Sequence, residues 1–412
     1  MKFEPLRGVL PRPEKAAAVA APPYDVVSSA EARVMAQGNP DSFLFVNKPE
    51  IALPENTNPY DLRVYEAGKK AFLRLVSLRV MQQDPLPAFY VYEQRSSDHC
   101  QRGIVGTADV SELDDGKIKK HELTRQDKED DRTRHTDMVG INAGPVFLTY
   151  RSRHALDDLM ERQTVAAPTL VVTRNGVTHQ IWRVQESAII DEISKQFSDI
   201  DAFYIADGHH RAASASRTCA LRKSKNPHHD GTEPYNGFLA VAFSHNQLRI
   251  LPYNRLVTDL GGLDDATFMN ELARRFDVTP APNGFPPGPK TVCMYLNGQW
   301  TRISVRSNTI DWNDPVARLD VSWLQTQLLA GMLNIVDPRR DERIDFLGGI
   351  EGTHGLMSRV DSGQYKVAFS LAATTMEDLI TIADANEIMP PKSTWFEPKL
   401  LSGLVVRLLD PL

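Results

Sequence analysis

Asp207, Gly208, His209, His210 and Arg211 stand in an unbroken row directly after the apolar run Phe203–Ala206. Their types suit a phosphate. Glycine allows a tight turn and a close approach by a ligand. A helix starting at His209 would present backbone N–H groups and the positive end of its dipole to an anion. Arg211 adds a planar, forked cation, and His209 and His210 add donors whose charge changes near neutral pH. Asp207 has the chemistry to hold Mg²⁺ beside a phosphate. The same five residues would also serve in an ordinary strand-turn-helix. A metal site built from His209, His210 and the pair His228–His229 fits less well, because adjacent residues on a helix point about 100° apart.

Two further segments carry chemistry. In Lys117–Thr124 a single acid, Glu122, follows Lys117, Lys119, Lys120 and His121. Positive neighbours lower a carboxylate pKa and keep it available as a base; a charged strand end is the plainer reading. Near the end of the chain, Pro390 and Pro391 stiffen the approach to Lys392, Ser393 and Thr394. A lysine with two hydroxyls can clamp a small anion, or form a plain loop.

The elements that must position these groups alternate along the chain. Strands are expected at Pro87–Gln94, Arg102–Val110, Pro145–Tyr150, Thr178–Val184, Ala202–Asp207 and Phe238–Phe243, from their β-branched and aromatic content. Helices are expected at 125–143, as a charged helix with a solvated face, and at 209–222. Later come a hairpin turning at Asn297–Gly298, a helix over 315–333 with Pro315 in its first turn, a strand over 365–372 and a helix over 376–385. Ser28 or Ser29 can cap a helix after Pro22–Val27. The fold class is therefore α/β with α+β character. The Pro/Gly-rich stretch Ala281–Pro289 marks a composition change, and two parts are expected, 1–260 and 261–412.

The 412 residues hold 47 Lys+Arg against 53 Asp+Glu, a net charge of -6. That balance argues against a general nucleic-acid binder, which relies on excess basic charge. No stretch reaches the roughly 18 apolar residues of a membrane span, and the run Ala16–Ala21 lacks the form of a signal peptide. Cys100, Cys219 and Cys293 are odd in number and far apart, as suits a reducing cytoplasm.

The motif "DGHHR" resembles the signature of the free L-serine kinases, of the ParB/sulfiredoxin-like superfamily. "KHE" at 120–122 resembles the kinases' "PHE" segment, and "PKST" at 391–394 their "PKTT", in the same order. The full length, with "PPYDVV", "RGIVG" and "PKSTWFEPKLLSGL", is similar to a bacterial family labelled as a domain of unknown function. The resemblance implies a ParB/sulfiredoxin-like core with added N-terminal and C-terminal parts and a cleft between domains. It implies a kinase that moves a phosphoryl group from ATP or ADP, with Mg²⁺, to free L-serine. In that reading Glu122 is the base, and Gly208, His209, His210 and Arg211 bind the donor phosphates. His210 and Asp207 assist, with Asp207 also at the metal, and Lys392, Ser393 and Thr394 hold the amino acid. Sulfiredoxins carry a nucleophilic cysteine where His209 stands, so their mechanism is not expected. A nucleotide-binding regulator and a phosphohydrolase are the alternatives.

Overall fold

The computed structural model describes residues 1–412. The chain forms two compact units. The larger comprises 1–120, 124–248 and 398–412; the smaller comprises 121–123 and 249–397. The chain thus changes unit between Leu248 and Arg249, where composition suggested 260, and its last residues return to the larger unit. The Pro/Gly-rich stretch 281–289 is a loop inside the smaller unit, joining two strands of one sheet.

The larger unit is built on a nine-stranded sheet. Its strands are β1 (Phe3–Glu4), β2 (Phe89–Arg95), β3 (Cys100–Asp109), β4 (Ile118–Lys119), β5 (Val146–Tyr150), β6 (Leu170–Arg174), β7 (Val177–Val184), β8 (Phe203–Asp207) and β9 (Gly237–Ser244). They lie in the order β4-β8-β5-β9-β3-β2-β7-β6, with β1 paired to β3. The pairs β8–β4 and β9–β5 are parallel and the rest antiparallel. Every residue of β9 is buried, as befits a central strand covered on both faces. One core joins Phe89, Val91, Ile104, Leu148, Ile205 and Ala240.

Four helices of this unit matter here: α1 (Ser29–Ala36), α2 (Leu62–Ser77), α3 (Gln126–Val139) and α4 (His209–Lys225). Ser28 caps α1 in a reciprocal capping box with Glu31. Helix α4 packs through small residues, with Ala212, Ser214 and Ala215 buried, and its last turn carries Arg222, Lys223 and Lys225, favourable at the negative end of the dipole. Helix α3 departs from the solvated face that its charge suggested. Asp131, Thr133, His135 and Val139 are buried, and Glu129, Asp130 and Asp137 pair with Arg217 and Arg222 of α4. Composition cannot reveal that a charged face meets an oppositely charged helix.

The smaller unit has a six-stranded antiparallel sheet of β10 (Tyr253–Val257), β11 (Asp277–Pro280), β12 (Thr291–Leu296), β13 (Gln299–Ser304), β14 (Ile344–Gly348) and β15 (Val367–Ser370), in the order β11-β13-β12-β15-β10-β14. The β12–β13 hairpin turns at Asn297 (φ 50°) and Gly298 (φ 77°), the two positive φ values of a type I′ turn. The helix expected over 315–333 is shorter: Asp320–Trp323 runs into a wider π-helical stretch, Leu324–Ala330. Before it, the Asp314 carboxylate accepts from the Val316 and Ala317 amides, an N-cap contact that holds a single turn. No helix is long and apolar enough to cross a membrane. The mixture of antiparallel-dominated sheets and helices is an α+β fold.

Two buried histidines in the larger unit make its stability pH-dependent. Burial pushes His135 and His179 down to about 4. His135 Nε2 donates to the Val46 carbonyl (2.7 Å). Tyr92 accepts from the Leu401 amide, so its own hydroxyl proton points to His179 Nδ1 (2.8 Å), which must be unprotonated. Because the folded pKa lies below the unfolded value, the unfolded chain binds more protons as pH falls from about 6.5 to 4, and stability is lost across that window. The expected loss is about 2 kcal/mol per histidine by pH 4.5. Urea titrations at pH 7 and 4.5 should show it, and the double variant His135→Gln/His179→Gln should have a shallower acid dependence. An unchanged dependence would remove these two groups as its cause.

Candidate functional site

Strand β8 enters the sheet against Thr149 and Leu148, but its register with β5 shifts between Ile205 and Asp207, which stands opposite Phe147. Such an irregularity re-aims the strand end. Gly208 follows with φ 93°, and α4 begins at once, with no side chain capping its first turn. The conformation demands glycine, and so does the packing. A Cβ on Gly208 would lie 2.9 Å from Arg211 Nε and 3.0 Å from Cζ, both in the guanidinium that rests on the bare α-carbon.

Arg211 is held at both ends of its fork. One terminal nitrogen donates to the Pro145 carbonyl; the other pairs with Asp207 Oδ2 at 2.9 Å. Its Nε is buried without a partner. Asp207 Oδ1 faces Lys399 Nζ at 3.4 Å. Burial would raise the Asp207 pKa, but Lys399, Arg211 and His209 overcome that and hold the carboxyl well below the usual range. Asp207 is therefore an anchor for cations. With an ammonium and a guanidinium already on its two oxygens, it does not fit a Mg²⁺ ligand, which needs free carboxylate oxygen and water. His209 is buried at the helix start. His210 Nε2 accepts from the Arg125 amide at 3.1 Å, so that nitrogen carries no proton and His210 ties the entrance of α3 to the turn.

The other expected site residues lie in the smaller unit. Glu122 is half-buried, in a bend. Lys117 lies 4.0 Å from Glu112, and the Lys119 ammonium sits 6.0 Å from the centre of the Tyr204 ring. Next to Glu122, His121 is joined to the Lys392 loop. The His121 carbonyl accepts from the Met389 amide (2.9 Å), and its Nε2 lies 3.5 Å from Thr394 Oγ1. The structure thus brings "KHE" and "PKST", some 270 residues apart, onto one framework.

Within that loop, Ser393 is buried and its hydroxyl donates to the Pro390 carbonyl (2.6 Å). Thr374 in turn donates to the Ser393 carbonyl (2.9 Å). Lys392 is exposed at φ 58°, a left-handed conformation uncommon outside glycine. Its ammonium lies 5.3 Å from the centre of the Tyr253 ring. A strained, exposed lysine on a loop braced from both sides is a feature more typical of functional than of plain loops.

Sequence reasoning missed Lys399. Nothing in the spacing links it to Asp207, 192 positions earlier; only the return of the C-terminal segment to the larger unit does. It also passed over Tyr24 and Arg132, which stack with the guanidinium 4.3 Å from the ring centre. His228 and His229 do not join the turn. His229 pairs with Glu233 and Tyr235, and His228 is exposed, so the four-histidine metal alternative lapses.

The α+β fold and this strand-glycine-helix site define a protein with a built anion-competent turn. The chain belongs to the family described as Protein of unknown function (DUF1015), whose model matches residues 3–322. The matched span includes Glu122 and 207–211 and ends before Lys392. No curated protein matches the chain. Among solved structures it is similar to a free serine kinase in complex with AMP, at 13% identity and a TM-score of 0.35, covering 70% of this chain and 86% of that one. It is also similar to SbnI with a C-terminal truncation from Staphylococcus aureus, at 10% identity and 0.39, covering 72% and 85%. A conserved hypothetical protein from Pyrococcus furiosus has 13% identity and 0.35, covering 71% and 91%.

Proposed function

We propose that the protein transfers a phosphoryl group from ATP or ADP to the hydroxyl of free L-serine, giving O-phosphoserine and ADP or AMP, as a member of the free serine kinase group within the ParB/sulfiredoxin-like superfamily. The observation that supports this reading most is the Gly208 turn, with an uncapped helix start and an arginine pre-set by Asp207 and Lys399 in the order "DGHHR". The amides of the first α4 turn and Arg211 bind the donor phosphates. His209 and His210 shape that turn, and His210 adds a donor toward the phosphates if its Nδ1 carries the proton. Arg211 neutralises charge as it develops on the transferred group. Glu122 takes the serine hydroxyl proton as the oxygen attacks phosphorus and the bond to the leaving phosphate breaks. Mg²⁺ bound with the nucleotide would offset phosphate charge.

Lys392 and Thr394 hold the amino acid, while Ser393, its proton given to Pro390, stiffens the loop and offers only acceptor capacity. Lys392→Ala is expected to raise the KM for serine about tenfold, the loss of a charge-assisted contact, with donor affinity measured without serine unchanged. Lost donor binding with an unchanged serine KM would assign Lys392 to the phosphates.

The test of the reading is direct. The full-length protein is incubated with Mg-ATP or Mg-ADP and a panel of hydroxy-amino acids, and products are followed by mass spectrometry. Phosphoserine identifies the kinase. Nucleotide hydrolysis without a phosphorylated amino acid identifies a phosphohydrolase, and binding without turnover a regulator.

A further inference from the structure

A polar cavity lined by residues of the larger unit has Arg211 in its wall. It measures about 40 Å³ and is bounded by Tyr24, Asn47, Arg132, His135, Arg211 and Ser402 among others. No carboxylate lines it. Asn47 is only 4% exposed, yet its Nδ2 has no partner, an arrangement that costs about 1–3 kcal/mol unless something accepts from it. Arg132 is fixed beside it. Its Nε and a terminal nitrogen pair with Asp131 (2.8 and 2.6 Å), another donates to the Asn47 carbonyl (3.3 Å), and its plane lies over the Tyr24 ring. That leaves guanidinium N–H groups over. Burial pushes the Tyr24 hydroxyl above its ordinary range, so it keeps its proton.

From this geometry we infer that the cavity is a binding site for one small oxyanion group, a phosphate or a carboxylate. An orphaned buried amide, a phenol and the guanidinium N–H groups that Asp131 leaves over can donate, and no carboxylate is in the lining. The size is also selective. Space for about three water-sized spheres admits a single such group and excludes an adenine ring or a whole nucleotide, whose pockets run to ~300 Å³ or more. The site goes beyond phosphoryl transfer and stands without it, since it needs neither nucleotide nor Glu122.

The test uses the full chain without nucleotide, titrated at constant ionic strength with inorganic phosphate, with acetate and with chloride, and reads the melting temperature. A saturable rise with phosphate or acetate, absent with chloride, is expected, and the anion that acts names the group. Asn47→Ala removes an unpartnered donor, so without anion it should melt close to the parent, yet its half-saturating concentration should rise about tenfold or more. Arg132→Lys keeps the charge but loses the fork and should show a similar loss. No saturable effect of either anion would leave the cavity to water and overturn the assignment. A phosphate effect unchanged in both variants would also overturn it, placing the anion at the Gly208 turn while leaving the kinase reading intact.

Discussion

Glu122→Gln is expected to lower kcat by about 10²–10⁴-fold, the usual cost of losing a general base, with nucleotide affinity nearly intact. The substitution keeps size and shape but removes the carboxylate's charge and its ability to take a proton. The neighbouring His121 is anchored through its carbonyl to Met389 and lies beside Thr394. A collapse of the loop is thus not expected to mimic the effect, and an unchanged thermal melt would confirm it. The measurement is phosphoserine formation at saturating donor and serine, beside nucleotide binding by calorimetry. A near-normal kcat would remove Glu122 as the base. A parallel loss of donor affinity would place it at the nucleotide instead.

Arg211→Lys is expected to weaken donor affinity or kcat by about tenfold or more, the value of one charge-assisted hydrogen bond. Arginine here spans two fixed points at once, the Pro145 carbonyl and Asp207 Oδ2, while lying flat on Gly208. A lysine ammonium is a single point and cannot hold both. Lys399 remains on Asp207 in the variant, so the buried carboxylate keeps one cation and the fold should survive. Calorimetric titration with ADP and steady-state rates check this. Unchanged affinity together with unchanged kcat would take Arg211 out of the site.

Much of this chain was legible from residue type and local order. The apolar run before Asp207, the glycine after it and the small residues of α4 require a strand, a turn and a close-packed helix, because φ preference and side-chain volume act locally. The Asn297–Gly298 hairpin and the Ser28 cap followed for the same reason. Local rules failed where a charge or a proline had more than one use. After Pro315 the chain makes a single capped turn, and a short helix follows only at Asp320. The acidic face of α3 turned inward onto the arginines of α4.

What the sequence by itself determined, then, is the identity and local form of the Gly208 turn and the α+β class. Only the tertiary structure decided how its charges are used. Asp207 looked free to hold a metal because nothing nearby in sequence signals Lys399; long-range return of the chain places that ammonium on its second oxygen. Lys117, read in sequence as part of the basic run before Glu122, lies beside Glu112. Electrostatic partners are set by distance through space, and a one-dimensional pattern records distance only along the chain.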